Sequence, residues 1–285
     1  MRLKKISIIS CVFILLTGIT LIIAYSYIGP GADDVKACKE FVDKLKYAKA
    51  IDVSENINNI KYKRDNKVVN ESDLVEKSMV TQNFALDLDK NNNVIGFIKQ
   101  DIPKSNVTKV NINVAEELSK KYLNAIYGSN IILKSCEYNE DENYLPYYSF
   151  IYAREKDGYL FYSDEIKLNI NKENGLLDGY SNSTLQKECK EEKINITKNE
   201  AEEQAVKFFL KYNTSCDIEG ESQLVFGDNI SDKNTSTFCE LSYLVILKGK
   251  DINDKDVIWK VFVSANNGKV INSLKDGSEK GVEAQ

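Results

Sequence analysis

The stretch from Ile194 to Gly277 constrains the fold most, because it carries both a defined helix start and a defined hairpin. Thr197 and Glu200 have the spacing of a capping box, in which a hydroxyl and a carboxylate satisfy two backbone donors at the start of a helix. Behind them, apolar residues recur every three or four positions, the period of a helix with one buried face. These residues are Ala201, Ala205, Phe208 and Phe209.

The end of the same stretch predicts a strand, a turn and a return strand. The run from Val261 to Val263 has β-strand character, Asn267-Gly268 predicts a two-residue hairpin turn, and Val270-Ile271 begins the return. The expected order is a helix followed by an antiparallel sheet on which the helix packs. This order predicts an α+β fold.

Two earlier stretches have the same order of elements. Their closing hairpins read FALDLDKNNNVIG and IKLNINKENGLLDG, beside VFVSANNGKVIN in the last stretch. The middle copy repeats the Ala-Glu-Glu helix start, with a cap expected at Asn113 and a buried stripe of Leu118, Tyr122, Leu123 and Ile126. Repetition at this spacing predicts tandem modules at residues 33–104, 107–184 and 193–277, of which the first is degenerate.

The Thr-x-x-Glu-Ala helix start and the closing valine strand with its Asn-Gly turn resemble the PepSY domain, a helix-plus-sheet module of thermolysin-type propeptides and membrane-anchored bacterial proteins. The segments from Tyr159 to Gly179, Phe238 to Tyr243 and Ser264 to Gly268 are similar to the outer part of the YpeB family of spore germination proteins. That family's long helical region between the membrane and the repeats has no counterpart here. The resemblance implies a row of PepSY-like modules, with a peptidase or a cell-wall lytic enzyme as the partner.

Residues Ile6 to Ile28 form a run of 23 residues without a charge. At about 1.5 Å per residue, a helix of this length spans the roughly 30 Å hydrocarbon core of a bilayer. The alternative is a cleaved secretory signal, but its apolar part is usually about 7–15 residues long, and Ala24-Tyr25-Ser26 fits the cleavage site poorly. We therefore expect a signal anchor within residues 1–31. Arg2, Lys4 and Lys5 predict a cytoplasmic N-terminus and an extracytoplasmic C-terminal region, hence localisation to the cell membrane.

The residue types that the chain lacks exclude several kinds of site. Histidine is absent, which excludes Ser-His-Asp and Cys-His catalytic sites, histidine-bearing zinc sites and histidine pH switches. The net charge is −5, and it becomes more negative once the basic residues before the apolar run are set aside. No basic field is left to neutralise phosphates, which argues against a nucleic-acid partner. We expect no catalytic, cofactor-binding or metal-binding residues; an enzyme with a carboxylate pair is the least favoured alternative.

Cysteines and tyrosines leave two open questions. Cys216 and Cys239 fall on predicted strands of the last module and could form a disulfide if those strands are neighbours; the alternative is buried thiols. Clustered tyrosines either form an exposed peptide-binding face or, more commonly, pack against a helix or a neighbouring module. They are Tyr144, Tyr147, Tyr148, Tyr152, Tyr159 and Tyr162.

Two functions fit these observations. In the first, a non-enzymatic, membrane-anchored extracytoplasmic protein binds or regulates a protein partner through its sheet edges and surfaces. In the second, the protein is an accessory that modulates a membrane sensor kinase through its membrane helix, with small residues such as Ser10, Thr17, Gly18 and Thr20 as the contact face.

Overall fold

The computed structural model describes residues 31–54, 60–62, 74–100, 107–128, 130–137, 145–184, 189, 193–230 and 238–275. No helix within these ranges is both long enough and apolar enough to cross a lipid bilayer. The predicted membrane span at residues 6–28 lies outside the described residues, and so does Tyr144.

Three helices and fourteen strands follow one another in the described part of the chain. The helices are α1 (Ala32–Tyr47), α2 (Ile112–Ile126) and α3 (Lys198–Phe209). The first strands are β1 (Lys61–Tyr62), β2 (Lys77–Val80), β3 (Phe84–Leu88), β4 (Val94–Lys99), β5 (Ile131–Glu137), β6 (Tyr147–Lys156), β7 (Tyr159–Leu160), β8 (Ile166–Asn171) and β9 (Leu177–Asn182). The last are β10 (Asp217–Ile218), β11 (Gln223–Asn229), β12 (Phe238–Lys250), β13 (Asp256–Ser264) and β14 (Val270–Lys275).

These strands form two sheets. The first has the order β1-β2-β3-β4-β9-β8-β6-β5, with β7 on β6, and the second has the order β10-β12-β13-β14, with β11 also on β12. The strand pairs whose registers are defined are antiparallel. Helices combined with antiparallel sheets confirm the predicted α+β class.

The chain divides into two compact units, each built from several segments. The first contains Met1–Gly128, Cys136–Phe150 and Lys167–Asn182, and the second contains Ser129–Ser135, Ile151–Ile166 and Ser183–Gln285. Compactness is a different property from repetition, so the module boundaries at 33–104, 107–184 and 193–277 stay a prediction.

In each helix, buried residues with the spacing i, i+4, i+7 and i+8 form one helical face, to which α1 adds Leu45. They are Ala201, Ala205, Phe208 and Phe209 in α3, Ala115, Ser119, Tyr122 and Leu123 in α2, and Asp34, Cys38, Phe41 and Val42 in α1. The α3 prediction is confirmed, and its capping box is present. In α2 the predicted stripe is partly wrong, because Leu118 and Ile126 are only half-buried.

The start of α2 also differs from the prediction. Its N-cap is Asn111 and not Asn113, and the Asn111 side chain accepts a hydrogen bond of 3.0 Å from the backbone N–H of Val114. The side chain of an N-cap residue accepts from a backbone N–H in the first turn, here that of Val114, three residues further on. Asn113 already lies within the helix, which begins at Ile112, so it cannot be the cap. Asn111 therefore precedes Ala115 by the same four residues by which Thr197 precedes Ala201.

The sheet of the second unit is apolar on both faces near its centre. Val261 and Val263 pack with the buried residues of α3, whereas Phe262 packs with Leu244 and Ile271 on the opposite face. Successive side chains of a strand point to opposite faces, so a strand buried on both sides needs consecutive apolar residues. This requirement explains the run from Val261 to Val263.

Asp34 is a buried carboxylate at the position that alanine holds in α2 and α3. Its Oδ1 atom lies 2.9 Å from Nζ of Lys77, and the side chain of Asp34 is 4% exposed while that of Lys77 is 37% exposed. Burial, with the charge of Asp34 as a second cause, raises the pKa of the neighbouring Cys38 thiol to about 12. The ion pair is therefore held by a lysine that reaches solvent and a carboxylate that does not.

We expect Lys77→Met to lower the free energy of unfolding by about 2 to 3 kcal/mol, because it removes the cation that lies 2.9 Å from the buried carboxylate of Asp34. Asp34→Ala should cost at most about 1 kcal/mol, because Lys77 can hydrate and alanine is the best helix former. Denaturant titrations of both variants measure the two effects. A larger loss for Asp34→Ala than for Lys77→Met would contradict this account.

Candidate interaction groove

A groove of about 590 Å³ lies between one side of α3 and the turn that joins β13 to β14. We call it the α3 groove. It is lined by Ile196, Glu200, Gln204, Lys207, Phe208, Lys211, Asn267, Gly268, Lys269 and Val270. None of these residues was selected from the sequence as a site residue. The sequence signal that could have indicated the groove is a pair of lysines, Lys207 and Lys211, four residues apart beside the predicted buried stripe.

The start of α3 positions one wall of the groove. Glu200 Oε2 accepts hydrogen bonds from the Thr197 backbone N–H at 2.7 Å and from its hydroxyl at 2.9 Å. These bonds, the backbone one first, hold the pKa of Glu200 below its ordinary value. Because the buried stripe of α3 faces the sheet, Gln204 and Lys207 lie on the exposed border of the same helix, and the exposed Lys211 follows in the turn after it.

The turn between β13 and β14 forms the other wall, and the prediction of a two-residue turn is wrong. Ser264 N–H donates to Lys269 O at 2.8 Å, and Gly268 N–H donates to Ser264 O at 3.0 Å, so residues 265–269 make the connection. The reason is tertiary: Ala265 O accepts from Asn195 N–H at 2.9 Å and from Ile196 N–H at 3.2 Å, which draws it out of the β13–β14 ladder. Gly268 supplies the positive φ of 73° that this longer turn needs.

The Val270 amide faces away from β13. Val263 pairs with Val270, and the bond from Ser264 N–H to Lys269 O flanks this pair, which makes it a pair of the non-hydrogen-bonded kind. In such a pair the backbone groups of both residues point outward. Val270 is also part of the groove lining, so its N–H is a donor at the groove wall.

The α3 groove has three lysines and one carboxylate, Glu200, at its rim above an apolar floor. Lys207 lies 3.8 Å from Glu203, with both side chains about two-thirds exposed. In the described part of the chain, no carboxylate forms an ion pair with Lys211 or Lys269. The floor consists of Ile196, Phe208 and Val270, which are half-buried or buried. A rim of positive charge stands out on a chain whose net charge is −5.

The first unit contains the same arrangement around α2. Tyr148 Oη donates to Val110 O at 3.1 Å, as Tyr243 Oη donates to Ile196 O at 3.1 Å. The remaining matched hydrogen bonds link the residues before the helix, the turn and the preceding strand. They are Lys109 and Val110 N–H to Lys172 O, Asn171 N–H to Leu176 O, Gly175 N–H to Asn171 O, Leu176 N–H to Asn174 Oδ1, and Lys172 N–H to Pro146 O. Their counterparts are Asn195 and Ile196 N–H to Ala265 O, Ser264 N–H to Lys269 O, Gly268 N–H to Ser264 O, Lys269 N–H to Asn267 Oδ1, and Ala265 N–H to Leu241 O.

The surface that corresponds to the α3 groove is filled in the first unit. We call it the α2 surface; it includes Val110, Leu118, Tyr122, Gly175 and Leu177. The segment 48–51 that follows α1 covers it: Leu177 N–H donates to Ala50 O at 2.8 Å, and Tyr122 Oη contacts Lys49 O at 3.3 Å and Gly175 O at 2.9 Å. Ala48, Ala50 and Ile51 are 5%, 0% and 4% exposed.

Of the tyrosines noted in the sequence, Tyr148, Tyr152, Tyr159 and Tyr162 pack within the fold and do not form a free face. Tyr148 and Tyr152 are buried. The half-buried Tyr162 lies edge-on to Phe262 with ring centroids 5.0 Å apart, and its N–H donates to Phe226 O at 3.0 Å. The adjacent Phe161 stacks on Phe226 at 4.6 Å. The segment 159–162 therefore covers the edge of β11 within the second unit.

The disulfide joins Cys189 to Cys239, so Cys216 and Cys239, whose pairing the sequence left open, do not pair. Cys216 directly precedes β10, whose residues pair with Leu247 and Lys248 near one end of β12. Cys239 lies at the other end of β12, about 30 Å away at roughly 3.3 Å per residue. Cys189 instead forms a bridge with Cys239 at a Cα–Cα distance of 4.5 Å. Cys38, Cys136 and Cys216 are free thiols.

In the ranges that the structure describes, no group of three or more acidic or cysteine side chains is placed to hold a metal ion. The α3 groove offers lysines, amides, apolar side chains and a single carboxylate, Glu200, a set that suits a peptide better than a metal ion.

No protein-family model matches the sequence, and no curated protein matches it. The PepSY resemblance therefore stays a prediction. Among solved structures, the chain is similar to the Bacillus megaterium YpeB C-terminal domain, with 15% sequence identity and a TM-score of 0.46. The similarity covers 82% of this chain and 96% of that chain.

Proposed function

We propose that the protein is a non-enzymatic, membrane-anchored extracytoplasmic protein that binds or regulates a partner protein such as a peptidase or a cell-wall lytic enzyme. Residues 6–28 cross the membrane once, with the N-terminus in the cytoplasm. The remainder forms tandem PepSY-like modules that present the binding surface. A role in spore germination fits the YpeB resemblance of the sequence.

One observation carries this proposal: two matched surfaces of the same chain differ in occupancy. The α2 surface holds a segment of its own chain through a backbone hydrogen bond at Leu177. No described residue fills the α3 groove, although its wall offers the corresponding amide at Val270. A surface built to hold a polypeptide segment, and left without one, suits a protein partner. Anchoring both proteins to one membrane raises their effective concentration.

Site-specific photo-crosslinking in the native membrane tests the proposal. A photoreactive amino acid at Gln204, in the groove, should crosslink the full-length protein to a peptidase or a lytic enzyme. The same amino acid at Ile252, which is 80% exposed in the turn after β12, is the matched control and should give no such product.

Identification of the crosslinked protein decides between the functions. A sensor kinase recovered from Gln204 would favour the accessory function instead, and the same products from Gln204 and Ile252 would contradict a role for the groove. Hydrolysis of peptides or peptidoglycan by the purified chain would contradict the non-enzymatic function.

A further inference from the structure

We infer that the α3 groove binds an extended partner peptide with small aliphatic side chains between acidic ones, one of whose backbone carbonyls accepts a hydrogen bond from the Val270 amide. This inference rests on the proposed function, since it names the chemistry of the segment that the partner presents.

The intramolecular contact on the α2 surface defines the kind of segment that fits. Both of its hydrogen bonds end on backbone carbonyls, those of Lys49 and Ala50, so they place no demand on side chains. The buried side chains are small or aliphatic, namely Ala48, Ala50 and Ile51. Main-chain bonds with shallow apolar contacts are the recognition mode of a segment added at a strand edge.

The α3 groove has a backbone donor at the same position as the α2 surface, but one residue of its floor differs. Val270 stands where Leu177 donates to the bound segment, and both follow a glycine of positive φ by two residues. Phe208 stands where Tyr122 offers its hydroxyl, so one hydrogen bond to the segment is absent and apolar contact takes its place. The groove therefore retains the backbone contact and depends more on an aliphatic side chain of the ligand.

The charge of the groove rim determines which residues of the bound peptide should flank its aliphatic centre. Lys207 has a counterpart in Lys121 on α2, but Lys211 and Lys269 stand where α2 and its turn have Ala125 and Leu176. The groove thus carries two more lysines than the surface that accepts the uncharged Ala50-Ile51 pair, and one more carboxylate, because Glu200 stands where α2 has Val114, so the groove remains the more positive of the two surfaces. Carboxylates on either side of the aliphatic centre complement these cations, and they also increase the association rate.

Fluorescence polarisation with a labelled, blocked peptide tests the inference on the full-length chain in detergent. The probe is DAEAID, and its charge-reversed twin is KAKAIK. We expect saturable binding of DAEAID with a dissociation constant below about 1 mM, weaker at higher salt, and no saturation by KAKAIK.

Two variants and one control locate the binding site. Lys207→Glu with Lys211→Glu should weaken binding of DAEAID about tenfold or more, because two attractions become repulsions. Lys255→Glu makes the same kind of charge change in the exposed β12–β13 turn and should alter binding less than about twofold. Val270→Pro removes the amide donor without removing a hydrogen bond between β13 and β14, and it should also weaken the binding of DAEAID.

The outcomes separate this inference from the function on which it rests. If DAEAID fails to saturate, or binds the double lysine variant as well as the parent, the inferred chemistry is wrong. A Gln204 crosslink to a peptidase or lytic enzyme together with such a failure would retain the proposed function and reject only this ligand. Unfolding midpoints of each variant show whether a loss of binding reflects loss of the fold; the lysine variants are surface changes and provide the test if Val270→Pro does not fold.

Discussion

Cys189→Ser is expected to lower the free energy of unfolding by about 4 kcal/mol. The disulfide joins residues separated by 50 positions, and closing a loop of this length restricts the unfolded chain by about that amount. Denaturant titration of the parent and the variant measures the loss, and a reducing agent should produce the same loss in the parent.

Cys216→Ser is the matched control, since Cys216 is the half-buried free thiol that the sequence left open as a possible partner of Cys239. It should change the free energy of unfolding by less than about 1 kcal/mol, and its loss under reducing conditions should equal that of the parent. A parent whose stability is insensitive to reduction, or peptide mapping that links Cys216 to Cys239, would reject the Cys189–Cys239 assignment.

Phe209→Ala is expected to lower the free energy of unfolding by about 3 to 5 kcal/mol. Phe209 is 0% exposed and lies edge-on to Trp259 with ring centroids 5.5 Å apart, at the centre of the α3 core. Its removal leaves a cavity that the surrounding side chains cannot fully close. The measurement is again the denaturant midpoint.

Leu210→Ala provides the control for this prediction. Leu210 is the next residue on the same helix end, yet it is 46% exposed, so its truncation should cost less than about 1 kcal/mol. Equal losses for the two variants would contradict the orientation of α3 on its sheet.

The helix α3 and several strands could be predicted because their signals are local. Thr197 and Glu200 determine where α3 begins through bonds within one turn, and the buried positions of α3 follow from the period of the helix. The strands from Phe84 and from Ile166 were predicted for the same reason, since alternation within a strand reflects one buried face.

The turn after β13 and the disulfide could not be predicted in this way. Asn267-Gly268 has the local signature of a two-residue turn, but Ala265 is bonded to Asn195 and Ile196 far back in the sequence. Cys189 lies 50 positions before Cys239 and belongs to no predicted strand, so no local pattern connected them. The same limit applies to the α3 groove, whose two walls are some seventy positions apart in the sequence.

The sequence alone determined the α+β class and the start and buried face of α3, because these depend on periodicity and capping among residues close in the chain. Only the tertiary structure decided which surface is covered and which is open. Residues 48–51 fill the α2 surface, whereas no described residue fills the corresponding α3 groove. Whether a surface is covered depends on which segment, remote in the sequence, folds against it. The residues next to that surface in the sequence do not indicate which segment this is.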